Sequence, residues 1–206
     1  MLDKDRPTRF ALIRHAPTMW NRQKLIQGQK DSPLTKEGRT LSRTWGRVLQ
    51  DLHFDRILTS DLGRSVSTAR LINQTLGLGL EKTDQLRELD WGQWTGKRIQ
   101  DIRSENPRKL EIMEGKGWQF CPPGGESYMQ VWHRARDVLR REANRFPGDS
   151  ILTVTHEGLI KCMVYRLSER QLQPQNRVPI KPYHLHWLSC QKNEVQIDTI
   201  NALALC

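Results

Sequence analysis

No stretch of this 206-residue chain approaches the ~20 consecutive apolar residues that cross a bilayer, so a membrane-spanning helix is not expected. Cysteine is scarce. The four present (Cys121, Cys162, Cys190 and Cys206) are scattered with no CxxC pair, so they read as free thiols and not as a disulfide frame. No GxxxxGK loop is found, which excludes a P-loop nucleotide site, and "HEGLI" has Ile160 where an HExxH metal site needs its second histidine. His184 and His186 lie two apart with no third ligand near them, so no metal site and no cofactor are expected. The opening "MLDKDRPTRF" is charged and lacks the apolar core of a secretory signal, which makes a cytoplasmic location the expectation. Internal repeats and low-complexity segments are also missing.

Charge is plentiful and unbalanced. Lys and Arg outnumber Asp and Glu to give a formal net charge of +10, which favours anionic partners. The basic residues form no block, however, and that argues against a nucleic-acid tail. A basic RNA-binding module remains the non-enzyme alternative, with Trp91 and Trp94 as its candidate stacking residues.

Apolar runs alternate with helical patterns. "RFALIRH", "FDRILTSD" and "SILTVTH" read as short buried strands. A helix starts after Thr35 as N-cap, with Leu41, Trp45, Val48, Leu49 and Leu52 at helical spacing. A second, "LGRSVSTARLINQTLG", closes at Gly77. "SYMQVWHRARDVLRREANRF" gives the longest helix, and "EGLIKCMVYRLS" follows its strand directly. "YHLHWLSC" and "EVQIDTI", separated by "QKN", predict a terminal hairpin. Residues 97–127, rich in Pro and Gly, read as a cap or loop excursion with room for a short helix, and residues 78–90 read as a polar connection. The pattern predicts one α/β domain over 1–206: three layers, α/β/α, around a mainly parallel sheet.

Two of the strands end in histidine, His15 and His156, and the first is preceded by Arg14. Arg64 falls in the first turn of the helix after "RILTSD". A strand-end histidine taken singly reads as a structural residue. Parallel strands, though, deliver their C-terminal ends to one sheet edge, where ligands of open α/β sheets bind. Arg14, His15, Arg64 and His156 can therefore converge beside helix N-termini on a phosphoryl group.

Six collinear segments carry a resemblance. "LIRHAPTMWN", "QGQKDSPLTKEGR", "ILTSDLGRSVSTA", "LRELDWGQWTG", "PPGGES" and "ILTVTHEGLIK" resemble, in order, the motifs of the histidine phosphatase superfamily, in its phosphoglycerate-mutase-like branch. The resemblance implies that fold, and a phosphatase that hydrolyses small phosphate monoesters without a metal or cofactor. It implies His15 as the nucleophile that becomes phosphorylated, Arg14, Arg64 and His156 as phosphate-binding residues, and Glu88 as proton donor and acceptor. Asn21 would add a hydrogen bond to the phosphate, and Gln27 and Gly28 would border the substrate. Phosphoglycerate-mutase-type transfer is the alternative within the family, and the sequence assigns no oligomeric state. Three positions depart from the pattern: Ala16 for Gly, Pro17 for Glu, and Glu157 for Gly. Ala16 requires a non-positive φ. Glu157 could orient His156, repel an anionic substrate or point to solvent.

Overall fold

The computed structural model describes residues 6–105, 107–172 and 178–205. Six strands form one sheet: β1 (Thr8–Arg14), β2 (Arg56–Ser60), β3 (Gly79–Thr83), β4 (Ser150–Thr155), β5 (His184–Gln191) and β6 (Glu194–Ala204). Their order is β3-β2-β4-β1-β5-β6. The first four are parallel, and β5 and β6 run antiparallel to complete a mainly parallel sheet. The described helices are α1 (Met19–Arg22), α2 (Lys36–Leu49), α3 (Gly63–Leu76), α4 (Ile99–Glu105), α5 (Pro107–Gly115), α6 (Tyr128–Arg145) and α7 (Glu157–Leu167).

Strand alternation sorts the core into two layers. Phe10 and Leu12 of β1 face α6 and α7, packing with Val131, Leu139, Leu159 and Met163. Ala11 and Ile13 face the other way, onto Trp45 and Leu49 of α2 and Ile72 of α3. The three-layer arrangement follows directly, with helices covering both faces of the sheet.

Local signals hold where they were strongest. The Thr35 side chain accepts the Gly38 N–H at 2.9 Å and so caps α2. Gly77 ends α3 in the left-handed region at φ +65°, its N–H donating to the Asn73 carbonyl. The hairpin turns through Lys192 and Asn193, both at positive φ, as a two-residue loop requires.

Two readings change. The connection over 78–90 contains β3, which pairs in parallel with β2. As an edge strand of sequence "GLEKT" it buries little and shows no apolar alternation. The 97–127 excursion holds α4, α5 and a 3₁₀ turn, and it sends Ile102, Leu110, Met113, Trp118 and Phe120 into the first core layer. Its Gly and Pro punctuate short helices instead of a loop.

Cys121, Cys162 and Cys190 are free thiols, and Cys206 lies outside the described residues. No described helix is long and apolar enough to cross a membrane.

Candidate active site

The register of the two central strands builds the site. Arg14 of β1 lies opposite Thr155 of β4, so the next residue of each chain segment, His15 and His156, emerge side by side at the sheet's C-terminal edge. Their rings are 5.2 Å apart, and the His15 N–H donates to the Thr155 carbonyl at 2.9 Å. One cavity of about 330 Å³ is lined by Arg14, His15, Asn21, Gln27, Gly28, Arg64 and Glu88, together with Trp91, Tyr128, Glu157 and Lys161. Seven of the eight residues expected from the sequence thus line one cavity. The eighth, His156, stands fully buried behind His15.

His15 is held by both ring nitrogens. Nδ1 lies 2.8 Å from the Ala16 carbonyl, and Nε2 receives the Arg64 Nε–H at 3.2 Å. A carbonyl only accepts and a guanidinium only donates, so the ring is neutral with its proton on Nδ1. Burial is the main reason its pKa lies well below 6.5, and the Arg14 and Arg64 charges push the same way.

Arg64 is 2% exposed and almost fully subscribed. Nη1 donates to the Lys30 carbonyl at 2.7 Å and to Asp31 Oδ1 at 3.1 Å, and Nη2 donates to the Gly28 carbonyl at 2.7 Å. Gly28 can aim that carbonyl because it sits at φ +53°, a conformation that disfavours a side chain. Asp31 also accepts the Gly63 and Arg64 N–H groups, capping α3 from a distant loop where Leu62 offers no side chain to do so.

Glu88 is seated at the start of α7. Its Oε2 accepts the Gly158 N–H at 3.1 Å and its Oε1 the Leu89 N–H at 2.9 Å. The approach is so close that a Cβ on Gly158 would stand 2.2 Å from Oε1. Asp90, the neighbouring carboxylate, instead accepts the Gly92 N–H, and Glu81 pairs with Arg145; neither lines the cavity.

Residues 10–203 match the family model of the histidine phosphatase superfamily (branch 1). The chain belongs to that superfamily. It is 32% identical over 171 residues, 80% of each chain, to a probable phosphoglycerate mutase GpmB of Salmonella choleraesuis. It matches the mycobacterial glucosyl-3-phosphoglycerate phosphatase complexed with VO3 at 27% identity and a TM-score of 0.83, over 95% of this chain and all of the other. Bacillus stearothermophilus YhfR matches at 26% identity and a TM-score of 0.81, over 96% and 98%. Family and phosphatase neighbours together make this chain an enzyme, a phosphoric monoester hydrolase.

In this histidine phosphatase Asn21 spends its Oδ1 on the Thr18 N–H and hydroxyl, as the third residue of a capping box, which turns the amide end of Asn21 to other use. The His156 Nε2 lies 2.9 Å from Ser60 Oγ, and its Nδ1 is buried with no partner among the described residues. Ala16 is absent from the positive-φ residues, so its Cβ is accommodated. No bond from Glu157 to His156 is found among the described residues, and the carboxylate does not stand free in solvent. It pairs with Arg14 through one oxygen and with Lys161, one turn along α7, through the other.

Sequence reasoning missed the residues that hold the machinery. Arg134 of α6 donates to the carbonyls of Gln85 and Glu88 and forms a two-bond pair with Glu126 of the "PPGGES" turn. The only available signal was an arginine on the mostly polar face of a long helix. Trp91 and Trp94 pack with Phe120, which stacks on Tyr128, so they are parts of an aromatic wall and not an open stacking platform. His184 and His186 form no ligand set, and no group of three metal-ligating side chains occurs among the described residues.

Three imidazoles lie below the ordinary 6.5, with burial the first cause in each: His15 and His156, with Arg64 acting on both, and His186, lowered to about 4. Each binds fewer protons in the folded chain than in the unfolded one at mildly acidic pH. Stability is therefore complete above about 6.5 and is lost as pH falls below it. The urea midpoint should drop steadily from about pH 7 to about pH 4.5. A constant or rising midpoint would contradict the burial of neutral histidines.

Proposed function

We propose that this enzyme hydrolyses small phosphate monoesters without a metal, by two displacements through a phosphohistidine on His15. The observation that carries the reading is the tautomer of His15: with the proton on Nδ1, the lone pair of Nε2 faces the cavity cations. As the phosphoryl oxygens take over the Arg64 Nε–H, Nε2 is freed to attack phosphorus in line while the ester P–O bond breaks, and the leaving oxygen takes a proton from the Glu88 carboxyl. The resulting carboxylate removes a proton from the water that attacks the phosphohistidine. Phosphate leaves, and His15 and Glu88 return to their starting states.

Charge spread over the equatorial oxygens calls for fixed donors. Arg14 gives only Nη1 to Glu157, which leaves its other N–H groups for the phosphoryl oxygens. The unpartnered Nδ1 of His156 and the amide of Asn21 complete the cradle, since a buried polar atom without a partner is costly until a ligand supplies one. Arg64, bound to three loop acceptors, fixes His15 and lends charge. Gln27, whose buried Oε1 is also unpartnered, and Gly28 border the substrate. These side chains supply the charge stabilisation a metal would otherwise give.

Mutase-type transfer is the alternative raised by the Salmonella relatives. A mutase has to keep water from its phosphohistidine. Here the His15 cavity shares Trp91, Tyr128 and Lys161 with a neighbouring cavity of about 680 Å³, which gives water a route to the phosphoryl group and favours hydrolysis.

His15→Ala should abolish release of phosphate from every ester the wild type cleaves, with an unchanged fold by circular dichroism. An acid-labile phosphoprotein trapped from wild type should vanish in that variant. Persistent turnover in His15→Ala would overturn the mechanism. Activity should also survive exhaustive chelation, and recovery of lost activity by zinc or magnesium would show that a metal takes part.

Gly158→Ala tests Glu88 without touching it. The new Cβ must push the carboxylate off its seat while α7, a helix that tolerates Ala, persists. General acid catalysis is worth roughly 10²–10⁴-fold, so single-turnover cleavage of an alkyl phosphate should lose most of that factor. A nitrophenyl phosphate, with its stable leaving group, should lose far less. Equal losses for the two esters would remove Glu88 from the role.

A further inference from the structure

The family motif has glycine where Glu157 stands, and the structure shows what the extra carboxylate does. Glu157 is the first residue of α7, directly after His156, and it lies at the mouth of the cavity that holds His15. One oxygen is bonded to Arg14 Nη1 and the other to Lys161 Nζ. Burial raises its pKa, but Arg14 and Lys161 outweigh that and hold the group ionised. The cavity wall carries three cations, Arg14, Arg64 and Lys161, and Glu157 engages two of them.

Lys161 is the residue whose availability changes most. It lies on the boundary between the His15 cavity and the larger one beside it, and it lines both. An ester whose phosphate sits at His15 must extend its organic part past Lys161. A free ammonium there would receive a carboxylate or a second phosphate on that organic part. Tied to Glu157, it cannot do so without giving up one of the two ion pairs that hold the half-buried carboxylate. Beyond Lys161 the wall is apolar and aromatic: Trp91, Leu110, Phe120, Tyr128, Tyr165 and Ile180. Among the described residues its other charged group is Glu114, which pairs with Arg103.

We propose that Glu157 is a specificity residue: by occupying Arg14 and Lys161 it fits the site to phosphomonoesters of uncharged, apolar alcohols and turns away esters whose organic part carries a second anion. This rests on the phosphatase reading of the His15 site given above. Arg14 keeps enough free N–H groups to hold one phosphoryl group, so the discrimination falls on the organic part.

Binding of two non-hydrolysable phosphonates, measured by titration calorimetry, tests the inference independently of turnover. Benzylphosphonate carries an apolar group and 3-phosphonopropionate a carboxylate at similar reach. Wild type should prefer benzylphosphonate. Glu157→Gln frees Lys161 and removes a repelling charge, and should move the affinity ratio toward the carboxylate ligand by about tenfold. The double variant Glu157→Gln with Lys161→Met should lose most of that gain. A purely structural role for Glu157 would change both affinities alike. A ratio unchanged within about twofold in Glu157→Gln, or a gain that persists without Lys161, would overturn the proposal. Absence of ester hydrolysis by wild type would count against the phosphatase reading, while the phosphonate ratio would still decide the role of Glu157.

Discussion

Burying the Arg64 guanidinium is the constraint around which this enzyme is arranged. An arginine removed from water is costly unless its N–H groups are met. Those acceptors come from a single loop, 28–31, and from His15 itself. Satisfying Arg64 therefore places Gly28 in its left-handed turn, draws Asp31 onto the start of α3, and fixes the plane of the His15 ring. The proposed nucleophile, the proposed substrate border and a helix cap follow from one buried charge. Burial is the first reason both histidines stay neutral, and the same charge, close to both, discourages their protonation further.

A second set of contacts works on the opposite wall. Glu88 is carried by a segment without regular strand structure, yet its proposed role requires it to face the leaving oxygen. Arg134 and Glu126 pin its backbone, and the amides of Leu89 and Gly158 seat its carboxylate. The first wall is organised by a buried cation and the second by a carboxylate at a helix start. The proposed substrate position is between the two, and the ion pairs of Glu157 flank the passage to the larger cavity.

The sequence pointed to the sheet, its two helical layers and eight site residues, seven of which line the cavity, because these rest on short-range signals: alternation in β1 and β4, caps at Thr35 and Gly77, and motif segments of fixed spacing. It did not show β3, since an edge strand with one useful apolar residue, Leu80, has no periodicity to read. Nor did it show α4 and α5, whose Pro and Gly mark helix ends as readily as loops. The bond of Glu157 to Arg14 and those of Arg134 to the Gln85 and Glu88 carbonyls were invisible for a different reason. They join residues far apart along the chain, and no local pattern records which distant group an arginine will meet.

The strand order also has a consequence for how the protein comes into being. β4, which begins at residue 150, lies between β1 and β2, so the strand that delivers His15 has no parallel neighbour until most of the chain has left the ribosome. Its other neighbour, β5, comes later still. During synthesis "FALI" is thus an unpaired apolar edge, the kind of segment that invites wrong pairing. The edge that becomes the catalytic floor is also the part of the nascent chain with the longest wait for its partners, and the one most dependent on being kept apart from other chains meanwhile.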